Sequence, residues 1–328
     1  MIQRFPIRVA GTSTVLPGVR ITTAEIVTHV TPPRDAATVE SRTGIAARHF
    51  ARKEDSPAEE ASRALDAALE AAKVSPKALE RIIFVSSGGG DLLFPATANL
   101  VAARLGIAGT SDCFDLNNAC MGFLTAFDLG ARSIATGCGP VGITVSEFPS
   151  RSVTPADPRP YLVFGDAAAA AVLVPTDDGG GVLGSWLRND GIAFGNVRLA
   201  NPAVHRGPYE TISFTAPNER MGEEAIEAVR QSARAALAHA GITIDDVDWI
   251  LPHQPNGALL AAIVAELGVA WERVVPVVAD VGSVGAASIA VSLDRLFRTR
   301  EVRPGARILM VGVGAGLSSG AILYQHSR

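Results

Sequence analysis

The chain is poor in cysteine, in aromatic residues and in net charge: it has 3 Cys, 5% Phe, Trp and Tyr together, and a formal charge of -4 over 328 residues. Each scarcity excludes something. Cys113, Cys120 and Cys138 cannot all pair, and their spacing is not that of a metal site, which predicts no disulfide framework, no metal and a reducing, cytoplasmic setting. The absence of any basic block argues against a nucleic acid or a membrane surface as partner. No apolar run reaches membrane-spanning length without Gly, Pro or charge, and Met1 to Val9 alternates like a strand without the long apolar region of a signal peptide. What is abundant is apolar: 48% hydrophobic residues can build a large core, in one domain or two.

The chain repeats itself weakly. Ala68-Leu69 through Val74, Leu79-Glu80 and Ile82-Ile83 is echoed by Ala236-Leu237 through Ile242, Val247-Asp248 and Ile250-Leu251. A second echo joins the helix after Cys120 and the strand Val141 to Val145 with the helix Ile289 to Phe297 and the strand Arg307 to Val311. Gly165-Asp166-Ala167 to Leu173 and Gly314-Ala315-Gly316 to Leu323 then close the two halves in the same way, a Gly-rich turn feeding an Ala-rich strand. Alternating strands and helices predict an α/β fold, and the duplication predicts two similar halves, residues 1–175 and 176–328, joined through the turn-rich Pro175 to Gly181. Pro149 to Tyr161, with four prolines, Arg151 and Arg159, reads as an ordered surface loop bordering an entrance.

Two positions carry chemistry. Cys120 follows the apolar strand and polar residues of Phe114-Asp115-Leu116-Asn117-Asn118-Ala119, and an amphipathic stretch begins at once; a cysteine at such a helix N-terminus is expected to favour thiolate. Cys113 and Cys138, among small and apolar residues, read as buried structural cysteines. His253 in Pro252-His253-Gln254-Pro255-Asn256 stands just past a strand end, where α/β folds collect their working groups, and an imidazole there can be acid, base or hydrogen-bond donor. His29, His49, His205, His239 and His326 have no such context and read as surface or packing residues.

Taken in order, Ser41-Arg42-Thr43-Gly44-Ile45, Ala119-Cys120-Met121-Gly122-Phe123, Phe164-Gly165-Asp166-Ala167-Ala168, Pro252-His253-Gln254-Pro255-Asn256 and Gly285-Ala286-Ala287-Ser288 resemble the β-ketoacyl-ACP synthase III family of the thiolase superfamily, over essentially the whole chain. The resemblance implies a thiolase-like five-layered αβαβα fold, a homodimer and an active site buried under a tunnel. It implies no cofactor: acyl-CoA or a phosphopantetheinyl acyl carrier protein is substrate. Cys120 would be the acylated nucleophile and His253 its partner. The backbone amides of Cys120 and Ala315 would form the oxyanion hole, a donor of the kind worth about 3 kcal/mol of barrier. Substrate-binding positions carried over are Phe94, Arg42, Arg159, Asn256 and Leu317, with Leu92, Phe123 and Val284 also shaping the tunnel; Phe94 lines the acyl pocket in the family, sometimes across the dimer interface, and reads equally as a core aromatic.

The departures from the family pattern are as informative. Condensing members have asparagine where this chain has Ser283, in Gly282-Ser283-Val284-Gly285-Ala286-Ala287-Ser288. The amide and the histidine together donate hydrogen bonds to a malonyl thioester carbonyl as carbon dioxide leaves; serine is shorter and has one proton to give, and losing such a donor costs roughly a hundredfold or more in rate. Thr38 stands near the place of the usual coenzyme A-stacking tryptophan, and Ala258 replaces a carrier-docking arginine. The favoured reading is an acyltransferase that moves an acyl group from Cys120 to a hydroxyl, amine or thiol acceptor in a fatty-acid- or polyketide-related, specialised metabolite pathway. The alternative is a β-ketoacyl-ACP synthase III condensing with malonyl-ACP. A silent carrier-binding partner would be expected to lack the nucleophile or its base, and a hydrolase would need water at the thioester.

Overall fold

The computed structural model describes residues 5–107, 109–201, 204 and 211–327, so Met1–Arg4 and His205 lie outside the described residues. Two mixed sheets dominate. The first runs, in spatial order, Ile7–Val15, Ala167–Pro175, Val141–Glu147, Arg81–Val85 and Asp112–Leu116; the second runs Gly181–Asn189, Ser318–Gln325, Arg307–Gly314 and Trp249–Pro252. The two orders are the same scheme used twice. In each, an antiparallel outer strand precedes a second antiparallel strand, and the next two strands run parallel, Ile83 beside Ile143 in one sheet and Leu251 beside Met310 in the other.

Helices complete five layers. Pro57–Ala72 covers the outer face of the first sheet and Asn218–Ala240 that of the second, while Gly122–Ala135 and Ala287–Thr299 lie between the sheets. The local reasons are visible in the sequence. Ser56 caps the first helix by accepting from Glu59 N at 3.1 Å, Pro57 fits the first turn, and Ala61, Leu65, Ala68 and Leu69 place one apolar face inward. Asn218–Ala240 stops at Gly241, whose φ of 69° closes the last turn. The strand Ala167–Pro175 is built of alanines despite their modest strand preference, because helices press on both of its faces; every residue but Pro175 is buried.

The first sheet's last strand in chain order ends at Pro175 and the second sheet's first begins at Gly181. Cys113 and Cys138 are half-buried free thiols rather than fully buried ones. His29, His49 and His239 each place Nδ1 against a neighbouring oxygen, Tyr161 Oη, Pro17 O and Ser185 O respectively, and His326 packs edgewise on Tyr324 and at a tilt on Phe297. No described helix is long and apolar enough to cross a membrane.

Candidate active site

The strand Asp112–Leu116 delivers the chain into a tight elbow. Asn117 Oδ1 accepts from Ala119 N at 3.1 Å, and Ala119 is held at a φ of 46°, a left-handed conformation that costs an alanine on the order of 1 kcal/mol or more. Met121 N and Gly122 N then donate to Asn118 O and Ala119 O, and the helix starts at Gly122. Cys120 is thus thrust out at the top of a strained turn, one residue before the Met121 cap. The matching turn of the second half comes to meet it: Gly314 ends its strand so close that a Cβ there would stand 3.1 Å from Cys120 N. Only glycine fits.

Polar side chains tie the two turns together. Asn118 Nδ2 donates to Thr125 Oγ1 at 2.9 Å. Ser318 Oγ lies 3.0 Å from both Asn118 Oδ1 and Ala315 O, and accepts from Asn189 Nδ2 at 2.6 Å. The amides of Cys120 and Ala315 both donate toward the Cys120 sulfur, which is the convergence that the resemblance implies for an oxyanion hole.

His253 arrives from the opposite sheet. Its N–H continues the parallel ladder onto Val311 O at 2.8 Å, and Gln254 anchors the turn behind it: Gln254 Nε2 donates to Val275 O and Ser292 Oγ, while Oε1 accepts from Val277 N and Val278 N. The imidazole is 3% exposed and neither ring nitrogen reaches hydrogen-bond geometry with a protein atom, although the nearby Val313 carbonyl favours its protonation slightly. Burial pushes His253 down to about 4. Cys120 is half-buried at the cavity, yet the surrounding protein, and then the charge of Glu147, push its thiol up to about 12 against the opposing pull of the two amides. The sequence-based expectation of a thiolate favoured by the helix end is therefore corrected: the helix begins beyond the cysteine and desolvation outweighs its field, so the resting pair is a neutral thiol and a neutral imidazole.

Two cavities meet at Cys120 and Ala315. The larger, about 1040 Å3, also exposes His253 and Ser283 and opens toward Arg34 and Arg42. The smaller, about 330 Å3, is bounded by Gly88–Gly90, Ser87, Glu147, Phe148 and Arg198. Ser283 is 3% exposed, with its backbone locked between Val163 O and Gly165 N, so the residue at the key departure faces the same space as the nucleophile and histidine.

The other expected positions divide. Arg42, Arg159, Asn256, Leu317, Thr38 and Ala258 all line the larger cavity. Arg159, however, spends its guanidinium on Phe214 O, Ala216 O and Asn218 Oδ1, and Asn256 Oδ1 caps the following helix through Leu259 N at 2.8 Å. Phe94 belongs to neither cavity and is not a core aromatic: it is 84% exposed, beside exposed Leu92 and Leu93. Phe123 and Val284 are fully packed in the core between the sheets instead of in a tunnel wall. Pro149–Ser152 and Pro158–Tyr161 form two short helical turns, and the first contributes to the smaller cavity and the second to the larger.

Glu147 escaped the sequence reading. It ends the buried strand Val141–Glu147, where its Oε1 accepts from Ser87 N at 3.0 Å and Ser87 Oγ at 2.7 Å, and its carboxylate also accepts from Ala286 N. Burial raises it to about 7.

A strained cysteine elbow, two converging amides and a histidine from the facing half come together at one cavity of a thiolase-like fold. The chain belongs to the 3-oxoacyl-(acyl-carrier-protein) synthase III family: the family's model matches residues 114–191 and that of its C-terminal part residues 237–326. It is similar to 3-oxoacyl-(acyl carrier protein) synthase III from Pseudomonas aeruginosa, at 29% identity and a TM-score of 0.89 over 98% of this chain and 99% of that one. The synthase from Aquifex aeolicus aligns at 28% identity and a TM-score of 0.90 over 98% and 100%, and the priming β-ketosynthase of the R1128 polyketide pathway at 29% and 0.88 over 99% and 98%. The chain is accordingly a ketosynthase III-like transferase.

Proposed function

We propose that this enzyme is an acyltransferase that forms an acyl thioester on Cys120 and passes the acyl group to a hydroxyl, amine or thiol acceptor. The observation that carries the reading is Ser283 beside His253 in the larger cavity, where decarboxylation calls for an amide donor. A carrier protein or coenzyme A thioester enters by the larger cavity. His253 takes the Cys120 proton, the sulfur attacks the thioester carbonyl, and the amides of Cys120 and Ala315 hold the oxyanion; the departing thiolate recovers the proton from His253. In the second half-reaction His253 takes the acceptor's proton, the acceptor attacks the acyl carbonyl and Cys120 leaves as the thiol. With its low basicity His253 stays neutral between half-reactions, ready to accept a proton each time.

The second reading, condensation with malonyl-ACP, is favoured by the names of the similar synthases. The exposed Leu92–Phe94 triplet suits a homodimer contact, and Arg34 and Arg42 at the cavity mouth suit the phosphate of a pantetheine arm.

Intact mass of the protein incubated with acyl thioesters, followed by malonyl thioester, separates the readings. A Cys120-dependent adduct without carbon dioxide release supports the acyltransferase. Carbon dioxide with a β-ketoacyl product would make it a condensing enzyme.

A further inference from the structure

Glu147 has no part in the mechanism above, yet its carboxyl is 3% exposed and borders the smaller cavity that ends on Cys120. It is reached from three sides. Ser87 N and Ser87 Oγ occupy Oε1, and Ala286 N comes from the opposite half of the molecule. A carboxylate offers about four acceptor sites, so three protein donors leave room for one more. Gly285 at φ 51° keeps that room: a Cβ there would stand 3.3 Å from the Glu147 carboxyl carbon. Around the carboxyl the wall is polar, with Ser86, Ser87, Asn117 and the glycines Gly88–Gly90, while Val197, Leu199 and Ile212 supply an apolar side against which the acyl carbons can pack.

We propose that the smaller cavity takes an acyl group bearing a hydrogen-bond donor, a hydroxyacyl or aminoacyl moiety, and that Glu147 binds that donor. The assignment rests on the acyl-cysteine reading above. With the pantetheine arm in the larger cavity, the acyl group on Cys120 is left the smaller one, which at roughly 30 Å3 per water-sized group has space for on the order of ten heavy atoms. A plain alkyl chain would fill that space but bury the carboxyl against methylenes with its last acceptor site unanswered. A site built around a polar group rejects the analogue that lacks the matching one. Burial has already raised Glu147 to about 7, so a ligand donor also restores the ionised form that the cavity disfavours.

The test is the initial rate of Cys120 acylation, read by intact mass, from S-(2-acetamidoethyl) thioesters of hexanoate, 3-hydroxyhexanoate and 6-hydroxyhexanoate. At least one hydroxylated thioester should load ten times faster than hexanoyl or more, and the ratio should fall below threefold in Glu147→Gln. The wild-type ratio stands by itself if Glu147→Gln does not fold. Hexanoyl loading as fast as both hydroxylated thioesters would overturn the assignment and leave the acyl-cysteine reading intact. No Cys120 adduct from any of the three, nor from acetyl thioester, would overturn both.

Discussion

Ser318 and Asn118 share a hydrogen bond of 3.0 Å across 200 residues of chain, two positions before the nucleophile and three positions after Ala315. Ser318 has a single proton for Asn118 Oδ1 and Ala315 O, and it accepts from Asn189 in return. In the proposed mechanism it is therefore a positioning residue for the amides of Cys120 and Ala315. Ser318→Ala should lower kcat for acyl transfer by on the order of tenfold with KM little changed, because it loosens the amides without touching the substrate. Ser318→Thr, which keeps the hydroxyl, should restore most of the rate; equal kcat in Ser318→Ala and wild type would remove the role.

The departure at Ser283 gives a gain-of-function prediction. Wild-type protein should release no carbon dioxide from malonyl thioester, and Ser283→Asn should release it at a rate at least about a hundred times the wild-type background, the usual worth of an oxyanion donor. Labelled carbon dioxide from [3-14C]malonyl thioester is the readout. Comparable release from both proteins would mean that the serine, or another donor, already does the amide's work.

Cys120 reactivity should carry the mark of desolvation. Since the thiol is pushed up to about 12, the thiolate fraction rises tenfold per pH unit across the accessible range. The log rate of iodoacetamide alkylation should climb from pH 7 to 10 without a plateau at the ordinary thiol value. A plateau between pH 6 and 8 would indicate a thiolate–imidazolium pair in the resting enzyme.

Stability should depend on pH through Glu147 in a defined direction. Folded Glu147 keeps its proton up to about 7, above the ordinary glutamate value of 4.5. Between these values the folded state binds more protons than the unfolded state, so Glu147's contribution is most favourable below pH 4.5 and is lost as pH rises through 7. Relative to Glu147→Gln, the wild type should lose on the order of 3 kcal/mol between pH 5 and 8 in urea denaturation. Taking the difference cancels groups that titrate independently of Glu147, whereas Asp166, whose charge helps to raise Glu147, is coupled to it and belongs to the difference.

Gln254 should prove structural. It is fully buried, and Gln254→Leu would strand Val275 O, Val277 N and Val278 N. At roughly 1–3 kcal/mol for each buried group left unpaired, the loss should be on the order of 3 kcal/mol or more, visible as a lower urea midpoint.

The duplicated scheme was legible because apolar spacing and turn chemistry are local: Leu69 and Leu237 face inward on matching helices, and Ile83 and Leu251 on matching strands. Cys120 and His253 were legible from strand-end context. Glu147 was not, since a carboxylate at the end of an apolar strand reads as the strand meeting solvent, and its burial depends on Ser87 and Ala286 arriving from elsewhere. The thiol's environment was misread for the same reason: a helix end is written in sequence, whereas desolvation is the sum of everything that packs around it. Phe94 faces outward because its loop leaves the sheet, and nothing in its own residues signals that direction.

The twofold scheme places Arg81–Val85 where the second sheet has Trp249–Pro252, which makes Ser86 the counterpart of His253; likewise the elbow before Gly122–Ala135 is the counterpart of the turn from Ser283 to Ala286 before Ala287–Thr299. The first half thus carries the sulfur and the second the imidazole at non-equivalent loops of the shared scheme. Chemistry has become a property of the pairing alone: a chain cut between Pro175 and Gly181 would yield two inert fragments, and turnover would return only with their reassociation.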